Sequence, residues 1–115
     1  MDLPFLHRTA PLADQPLTDE HASELERLMD ALADKQRLKI LSLLLHDDGH
    51  GLCVGDLRKA LQISQPTVSH HLKRLVHVGV LIRQREGNFV RFRIAPQALA
   101  QLRQLFTEPT LPELT

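Results

Sequence analysis

The segment from Ile63 to Arg74 constrains the fold of this chain most, because it predicts a short helix with a defined start. Ser64 is a good N-cap, since its hydroxyl can accept a hydrogen bond from an early backbone N–H, and Pro66 is tolerated in a first turn. Apolar side chains then recur at the spacing of one helix face and form a buried stripe: Val68, Leu72, Leu75 and Val76. The opposite face is left to polar side chains.

That polar face offers hydroxyl, amide, imidazole and cationic groups: Ser64, Gln65, Thr67, Ser69, His70, Lys73 and Arg74. Groups of these types contact base edges and phosphates when a helix enters the major groove of DNA. Taken alone, the same face fits an ordinary amphipathic surface helix equally well. The neighbouring segments decide between the two interpretations.

A second helix precedes this one at a short distance. The sequence predicts it from about Val54 to Ala60, anchored by Leu57 and Leu61. Gln62 and Ile63 form a tight connection from Leu61 to Ser64. Helix, short turn and helix is the arrangement that lays the second helix across a DNA groove while the first supports it. The pair therefore predicts a helix-turn-helix unit.

Two short strands are predicted after this unit. Gly79 is expected to end the preceding helix, because glycine is favoured just past a helix C-terminus. Val80 to Arg85 and Phe89 to Ile94 predict strands, with Glu86 to Asn88 as a hairpin turn. A basic hairpin beside a DNA-reading helix is a wing, whose arginines reach the flanking minor groove or the backbone. The candidate wing contacts are Arg83, Arg85 and Arg91.

Helices are also predicted at both ends of the domain. Thr18 can cap one that runs to about Ala33, and Asp34 can cap another from Lys35 to about Leu45. The second of these has a broad surface that we expect to be buried: Leu38, Ile40, Leu41, Leu44 and Leu45. A last helix is predicted from about Pro96 to Phe106.

These elements predict a mainly α fold with a small β-hairpin, a winged helix-turn-helix in which four helices, two strands and a last helix follow in that order. At 115 residues the chain can form one compact domain, which we expect over residues 18–106. Residues 1–17 contain three prolines without periodicity and predict a flexible N-terminal arm. Residues 107–115 are expected to be a C-terminal tail.

The last helix carries more apolar side chains than the domain needs for its own core. We expect four of them to be exposed: Leu99, Leu102, Leu105 and Phe106. Surplus apolar surface on a small chain favours a partner subunit over unseen packing. A twofold homodimer would place two reading helices about one helical turn apart on a near-palindromic double-stranded site.

The net charge of the whole chain is zero, but the charges are unevenly distributed along it. Residues 58–93 hold eight lysines and arginines against one acid, a net charge of +7, whereas residues 1–57 carry −6. Phosphate neutralisation requires a locally basic face rather than a basic protein as a whole. The distribution therefore favours nucleic acid as the partner of the basic segment.

The composition excludes several other classes of protein. With four Phe, no Trp and no Tyr, the chain lacks the stacking platforms that bind single-stranded nucleic acid. Its single cysteine excludes an internal disulfide and suits a reducing compartment. Without a signal peptide or a membrane-length apolar run, the protein is expected in the cytoplasm, with no membrane contact. The sequence also has no phosphate loop and no nucleophile beside a base, so we predict no enzyme.

Three stretches follow one another at a distinctive spacing: LADKQRLKIL at 32–41, LCVGDL at 52–57 and SQPTVSHHL at 64–72. They resemble the ArsR/SmtB family of winged-helix repressors, and the similarity extends over about residues 20–106. The resemblance implies a homodimer joined by its first and last helices, operator binding that represses transcription, and release by an inducer, commonly a metal ion. It also implies Gln65, Ser69 and His70 as base-reading residues and the wing arginines as backbone contacts.

The resemblance implies one candidate metal site for the inducer. That family site pairs thiolates at the start of the third helix with ligands from the N-terminal arm of the other subunit. Here Cys53, Asp56 and His7 are the candidate ligands for zinc or another divalent metal ion. The thiol-pair version of the motif has cysteine where this chain has Gly55, and the alternative is that Cys53 is an inert small hydrophobic residue.

The sequence thus predicts a sequence-specific DNA-binding transcriptional regulator, a dimeric repressor released by a small inducer such as a metal ion or an oxidant. The alternatives are a winged-helix module that binds proteins and a DNA-binding protein that senses nothing. The regulator predicts strongly salt-dependent duplex binding, whereas the interaction module predicts partner capture without duplex affinity.

Overall fold

The computed structural model describes residues 15–106 as five helices and a two-stranded antiparallel hairpin. The elements are α1 (Asp19–Leu32), α2 (Lys35–His46), α3 (Val54–Leu61), α4 (Gln65–His77), β1 (Leu81–Glu86), β2 (Phe89–Ile94) and α5 (Pro96–Leu105). Their types and order are those predicted, a winged helix-turn-helix. The predicted tail, most of the predicted arm and His7 lie outside the described residues, so they stay predictions. Within the described range, no helix is long and apolar enough to cross a membrane.

Short polar side chains and one glycine fix where the helices begin and end. Thr18 Oγ1 caps α1, Asp34 Oδ1 caps α2, and Ser64 Oγ accepts a hydrogen bond from Thr67 N (3.3 Å) at the start of α4. Each such cap contributes about 1 kcal/mol. Gly79 follows α4 with a φ of +84°, a conformation that favours glycine. The predicted caps and the predicted stop are therefore confirmed.

The core lies where the helices meet the hairpin. Every helix and strand contributes at least one large buried side chain to this core: Leu28, Ile40, Leu57, Leu72, Leu75, Leu81, Phe92 and Leu105. Burying a leucine or phenylalanine contributes about 1.5–3 kcal/mol. This cluster therefore holds α3 and α4 against β2 and α5.

Two leucines of α2 that we predicted to be buried are exposed. Leu38 and Leu45 are 54% and 55% exposed, whereas Ile40 and Leu44 of the same helix are buried. Residues seven apart lie on the same side of a helix, and α1, α3, α4 and β2 pack on the side that holds the buried pair. The predicted broad buried surface of α2 is thus wrong for Leu38 and Leu45.

The opposite correction applies to α5, where Leu105 was expected to be exposed and is buried. Ala98 and Leu105 are seven residues apart and both join the core. Leu99 and Phe106, also seven apart, lie on another side of the helix and are exposed as predicted. The apolar spacing of α5 predicts two such sides, and only packing decides which one meets the core.

The hairpin is tied to the helix-turn-helix unit at its base. β1 and β2 pair along their full length around a two-residue turn, Gly87-Asn88. Phe92 of β2 also pairs with Leu52, just before α3, through backbone hydrogen bonds of 3.1 and 2.8 Å. The wing is therefore held beside α3 and α4 by backbone as well as by side chains.

Candidate nucleic-acid interface

The outward side of α4 and its N-cap carry all seven helix residues predicted to contact DNA, and each is exposed: Ser64, Gln65, Thr67, Ser69, His70, Lys73 and Arg74. The Ser64 and Thr67 hydroxyls lie 2.8 Å apart, so both take part in the helix start. Within the described part of the chain, the side chains of Gln65, Ser69 and Lys73 have no hydrogen bond or ion pair. These three are therefore available to base edges and phosphates.

Arg74 is exposed but already has a partner. Its guanidinium forms an ion pair with the carboxylate of Asp30, near the end of α1. The side chains of Arg74 and Asp30 are both largely open to solvent, so the pair contributes little to stability. The ion pair instead orients Arg74, because it directs the side chain toward α1 rather than away from the protein.

The inward side of α4 is held by a buried pair that the sequence analysis missed. Arg37 of α2 and His71 of α4 are 7% and 8% exposed, and Arg37 Nη1 lies 3.2 Å from His71 Nδ1. Arg37 also donates to the backbone carbonyls of Ala31 and Asp30 at the end of α1. One guanidinium from the first turn of α2 therefore joins the C-terminal end of α1 to the middle of α4.

The contact with Arg37 determines which ring nitrogen of His71 carries the proton. A guanidinium only donates hydrogen bonds, so Nδ1 accepts and the ring proton lies on Nε2. Burial lowers the pKa of His71, the charges of Arg37 and His70 lower it further, and Asp34 opposes them. His71 is thus held neutral, with an acceptor directed at Arg37.

A signal for this pair was present in the sequence. His71 lies three residues after Val68 and four before Leu75, which places it on the apolar side of α4. Arg37 similarly lies three residues before Ile40 on α2. Polar residues on an apolar helix side need partners, but periodicity alone could not show that these two are partners of each other.

The three wing arginines have different surroundings. Arg83 is exposed and has no hydrogen bond or ion pair among residues 15–106. Arg85 Nε donates to the Gly87 carbonyl in the hairpin turn (3.2 Å). Arg91 is half-buried, with Nε 3.1 Å from Glu86 Oε2 and Nη1 3.2 Å from the Gly51 carbonyl. Of the three, Arg83 is therefore the one most available to DNA.

The structure brings cations of the helix and the wing together. Ser69 and Lys73 of α4 and Arg83 of β1 line one open cavity of about 460 Å³, which we call the α4–hairpin cavity. A second depression of about 350 Å³ on the other side of Lys73 is lined by further basic residues, among them Arg27, Arg74 and His77. Three of the eight cations of residues 58–93, Lys73, Arg74 and Arg83, therefore lie around the exposed side of α4.

Two of the three candidate metal ligands lie together. Cys53 precedes α3, and its Sγ and backbone N are each 3.1 Å from Asp56 Oδ2. The thiol and the backbone N–H of Cys53 lower the pKa of Asp56, and the charges of Arg91 and Lys59 act in the same direction. Residues 15–106 contain no cluster of three or more His, Cys, Asp or Glu that could hold a metal ion. The described residues thus supply two donors, fewer than tetrahedral zinc requires.

The fold and the exposed polar side of α4 together place this protein among the winged helix-turn-helix DNA-binding transcriptional regulators. Residues 34–83 match the family model described as bacterial regulatory protein, arsR family. Over 82 residues the sequence is 40% identical to the arsenical resistance operon repressor of Escherichia coli strain K12, and the alignment covers 71% of this chain and 68% of that protein. The chain belongs to the ArsR family.

Solved structures show the same likeness. The crystal structure of the AntR antimony-specific transcriptional repressor is 37% identical in sequence with a TM-score of 0.64, covering 80% of this chain and 83% of that one. A homodimeric winged helix-turn-helix DNA-binding domain from Mycobacterium bovis, a possible ArsR-family regulator, is 30% identical with a TM-score of 0.62, covering 76% and 82%. The fold class and the family resemblance predicted from the sequence are confirmed.

Proposed function

We propose that this regulator is a homodimeric repressor that binds a near-palindromic operator in double-stranded DNA and leaves it when an inducer binds. The observation that carries the proposal is the exposed side of α4, where Gln65, Ser69, His70 and Lys73 present polar groups while the opposite side is held in the core. The Escherichia coli relative is named a repressor, and the Mycobacterium bovis neighbour is homodimeric. Operator binding would place the protein in the cytoplasm.

The residues of α4 and the hairpin take different roles in this proposal. With α4 in the major groove, Gln65, Ser69 and His70 read base edges. Lys73 and Arg83 bind phosphates, because both are exposed cations at one cavity without partners among the described residues. The proposed contacts in full are Ser64, Gln65, Thr67, Ser69, His70, Lys73, Arg74, Arg83, Arg85 and Arg91, with Arg74, Arg85 and Arg91 giving up internal partners on binding.

The proposed dimer joins α1 and α5 of each subunit. Leu99 and Phe106 of α5 are large apolar side chains left in solvent, and Leu17 just before α1 is another. A second copy of the chain would cover them and set the distance between the two α4 helices.

Part of the proposal concerns a metal inducer. The Cys53–Asp56 pair supplies a thiolate and a carboxylate, donors that suit zinc or a softer divalent ion, and His7 is the proposed third ligand. Cobalt absorption spectroscopy on the wild type and Cys53→Ser tests this site. A thiolate-to-cobalt band lost in the variant supports it, and an unchanged spectrum on cobalt addition to the wild type overturns it.

Fluorescence anisotropy on DNA from upstream of the gene, with random duplex as comparison, tests operator binding. We expect affinity to fall steeply with salt, and His70→Ala or Gln65→Ala to lose at least tenfold in preference for operator over random duplex. His50→Ala, an exposed histidine in the loop before α3, is the matched control. Equal preference in His70→Ala, Gln65→Ala and wild type would contradict the assignment of α4 as the reading helix.

A further inference from the structure

The α4–hairpin cavity has an apolar floor beneath its basic rim. Val54 at the start of α3, Val76 of α4, and Val90 and Phe92 of β2 form this floor. Phe92 is buried, and the three valines are half-buried. The cavity volume, about 460 Å³, lies within the range of about 300–1,000 Å³ typical of small-molecule sites. Apolar surface of this kind contributes nothing to binding a phosphate, so it suits a ligand with a hydrocarbon part.

The rim of the cavity carries two uncommitted cations. Lys73 and Arg83 have no hydrogen bond or ion pair among residues 15–106, whereas nearby Arg74 and Arg91 are each paired with a carboxylate. Ser69 adds a hydroxyl on the same rim, and none of the described side chains that line the cavity is acidic. The rim therefore complements one negatively charged head group.

We propose that the α4–hairpin cavity binds an amphipathic organic acid, a medium-chain aliphatic carboxylate. Its carboxylate contacts Lys73 and Arg83, and its hydrocarbon part lies against Val76 and Val90. Cys53 does not line the cavity, although its neighbour Val54 does. The cavity is thus an effector site in addition to being part of the DNA-reading surface. Because the bound acid occupies the two cations proposed to bind phosphates, acid and duplex exclude each other. Only this last consequence depends on the proposed function.

Octanoate is the probe for the site, with octan-1-ol and acetate as controls that lack the charge or the hydrocarbon part. In ¹H–¹³C spectra of protein labelled at valine and leucine methyl groups, octanoate is expected to shift the Val76 and Val90 resonances saturably. Acetate is expected to shift neither, and octan-1-ol to bind at least tenfold more weakly. If octanoate shifts only the exposed leucines Leu38, Leu45 and Leu99, or no methyl group at millimolar concentration, the proposal is overturned.

Substitutions separate the head-group contact from the apolar contact. Lys73→Gln and Arg83→Gln should each weaken octanoate binding about tenfold, while Lys59→Gln, an exposed lysine of α3 outside the cavity, leaves it unchanged. Val90→Thr keeps the side-chain shape but replaces one methyl group by a hydroxyl, so it should weaken octanoate binding severalfold. Val78→Thr, at the end of α4 outside this cavity, is its control. Equal octanoate affinity in Val90→Thr and Val78→Thr would place the ligand elsewhere.

Duplex binding provides an independent measurement. At low salt, octanoate is expected to displace labelled duplex from wild type and from Val78→Thr alike, and to displace it less from Val90→Thr. Methyl shifts without displacement would contradict the exclusion of duplex by the acid. Absence of duplex binding in the untreated protein would instead count against the proposed function and leave the methyl-shift result to decide the site.

Discussion

Arg37 Nη1 lies 3.2 Å from Nδ1 of His71, and this buried contact joins the helix that follows α1 to the helix that presents the candidate DNA contacts. The same guanidinium donates to two carbonyls at the end of α1. In the proposed dimer α1 lies at the subunit interface, so Arg37 connects that interface to α4. Arg37 therefore supports the orientation of α4 relative to α1, together with the shared core and the Asp30–Arg74 ion pair.

Replacing Arg37 tests how much this junction contributes to stability. Arg37→Met keeps the length of the side chain but removes its donors. His71 Nδ1 and the Ala31 carbonyl then lose their partner, whereas the Asp30 carbonyl keeps the Ala33 N–H. We expect the free energy of unfolding to fall by about 3 kcal/mol. Urea denaturation measures it, with Arg58→Met on the exposed side of α3 as a control expected to change stability by less than about 0.5 kcal/mol. Similar losses in both variants would contradict the role of Arg37.

The lowered pKa of His71 predicts acid-sensitive stability. In the unfolded chain this histidine titrates near 6.5, whereas the folded protein holds it neutral to lower pH. Below about pH 6.5 the unfolded state therefore binds more protons, and the free energy of unfolding should fall by at most about 1.4 kcal/mol per pH unit. The loss ends once pH drops below the folded pKa.

His71→Asn isolates this dependence, because its amide oxygen can accept from Arg37 and does not titrate. Stability of this variant between pH 7 and 5 should be flatter than that of the wild type. His70→Asn changes the neighbouring exposed histidine and should keep the acid dependence. Thermal unfolding followed by circular dichroism across this range makes the comparison, and parallel curves for wild type and His71→Asn would refute the assignment.

The ion pair between Asp30 and Arg74 predicts a gain in DNA affinity when it is broken. Asp30→Asn frees Arg74 for phosphate, so duplex affinity should rise severalfold and the salt dependence should steepen by about one phosphate contact. Stability should change by less than about 1 kcal/mol, since both side chains are largely exposed. Glu26→Gln removes the same charge from α1 without freeing an arginine. Identical salt dependence in these two variants would mean that only net charge matters.

Gly51 and Gly49 form a matched pair for testing how the hairpin packs on the loop before α3. Both have positive φ, +87° and +88°, but a Cβ at Gly51 would lie 2.8 Å from Arg93 Cγ and 3.0 Å from the Phe92 carbonyl oxygen, whereas nothing lies within 4 Å at Gly49. Gly49→Ala should lower the free energy of unfolding by about 1 kcal/mol, because alanine is strained at this φ. Gly51→Ala should lower it by about 3 kcal/mol, because its Cβ would also clash with β2. Chemical denaturation distinguishes them, and equal costs would show that the loop shifts freely.

The helix starts were predictable from sequence because capping is local. Thr18, Asp34 and Ser64 each bond to backbone groups two or three residues away, so the residues that decide a start are neighbours in the chain. The strands and their turn were predictable for the same reason. So was the set of polar residues on α4, since helical spacing alone separates them from the apolar side.

Contacts between segments distant in the chain could not be predicted from the sequence in this way. Leu105 is buried and Leu45 exposed because neighbouring elements cover one side of α5 and of α2, and spacing cannot show which side. The availability of Lys73 and Arg83, compared with the paired Arg74 and Arg91, also depends on partners elsewhere in the chain.

By itself, the sequence determined the kinds of element in this protein, their order and the polar side of α4, because short-range capping, periodicity and turn chemistry suffice for those. Only the tertiary structure decided that Arg37 meets His71, 34 residues away, and that cations of α4 and β1 share one cavity with an apolar floor. Such pairings depend on how packed helices are placed against each other, and that placement is set by the core as a whole.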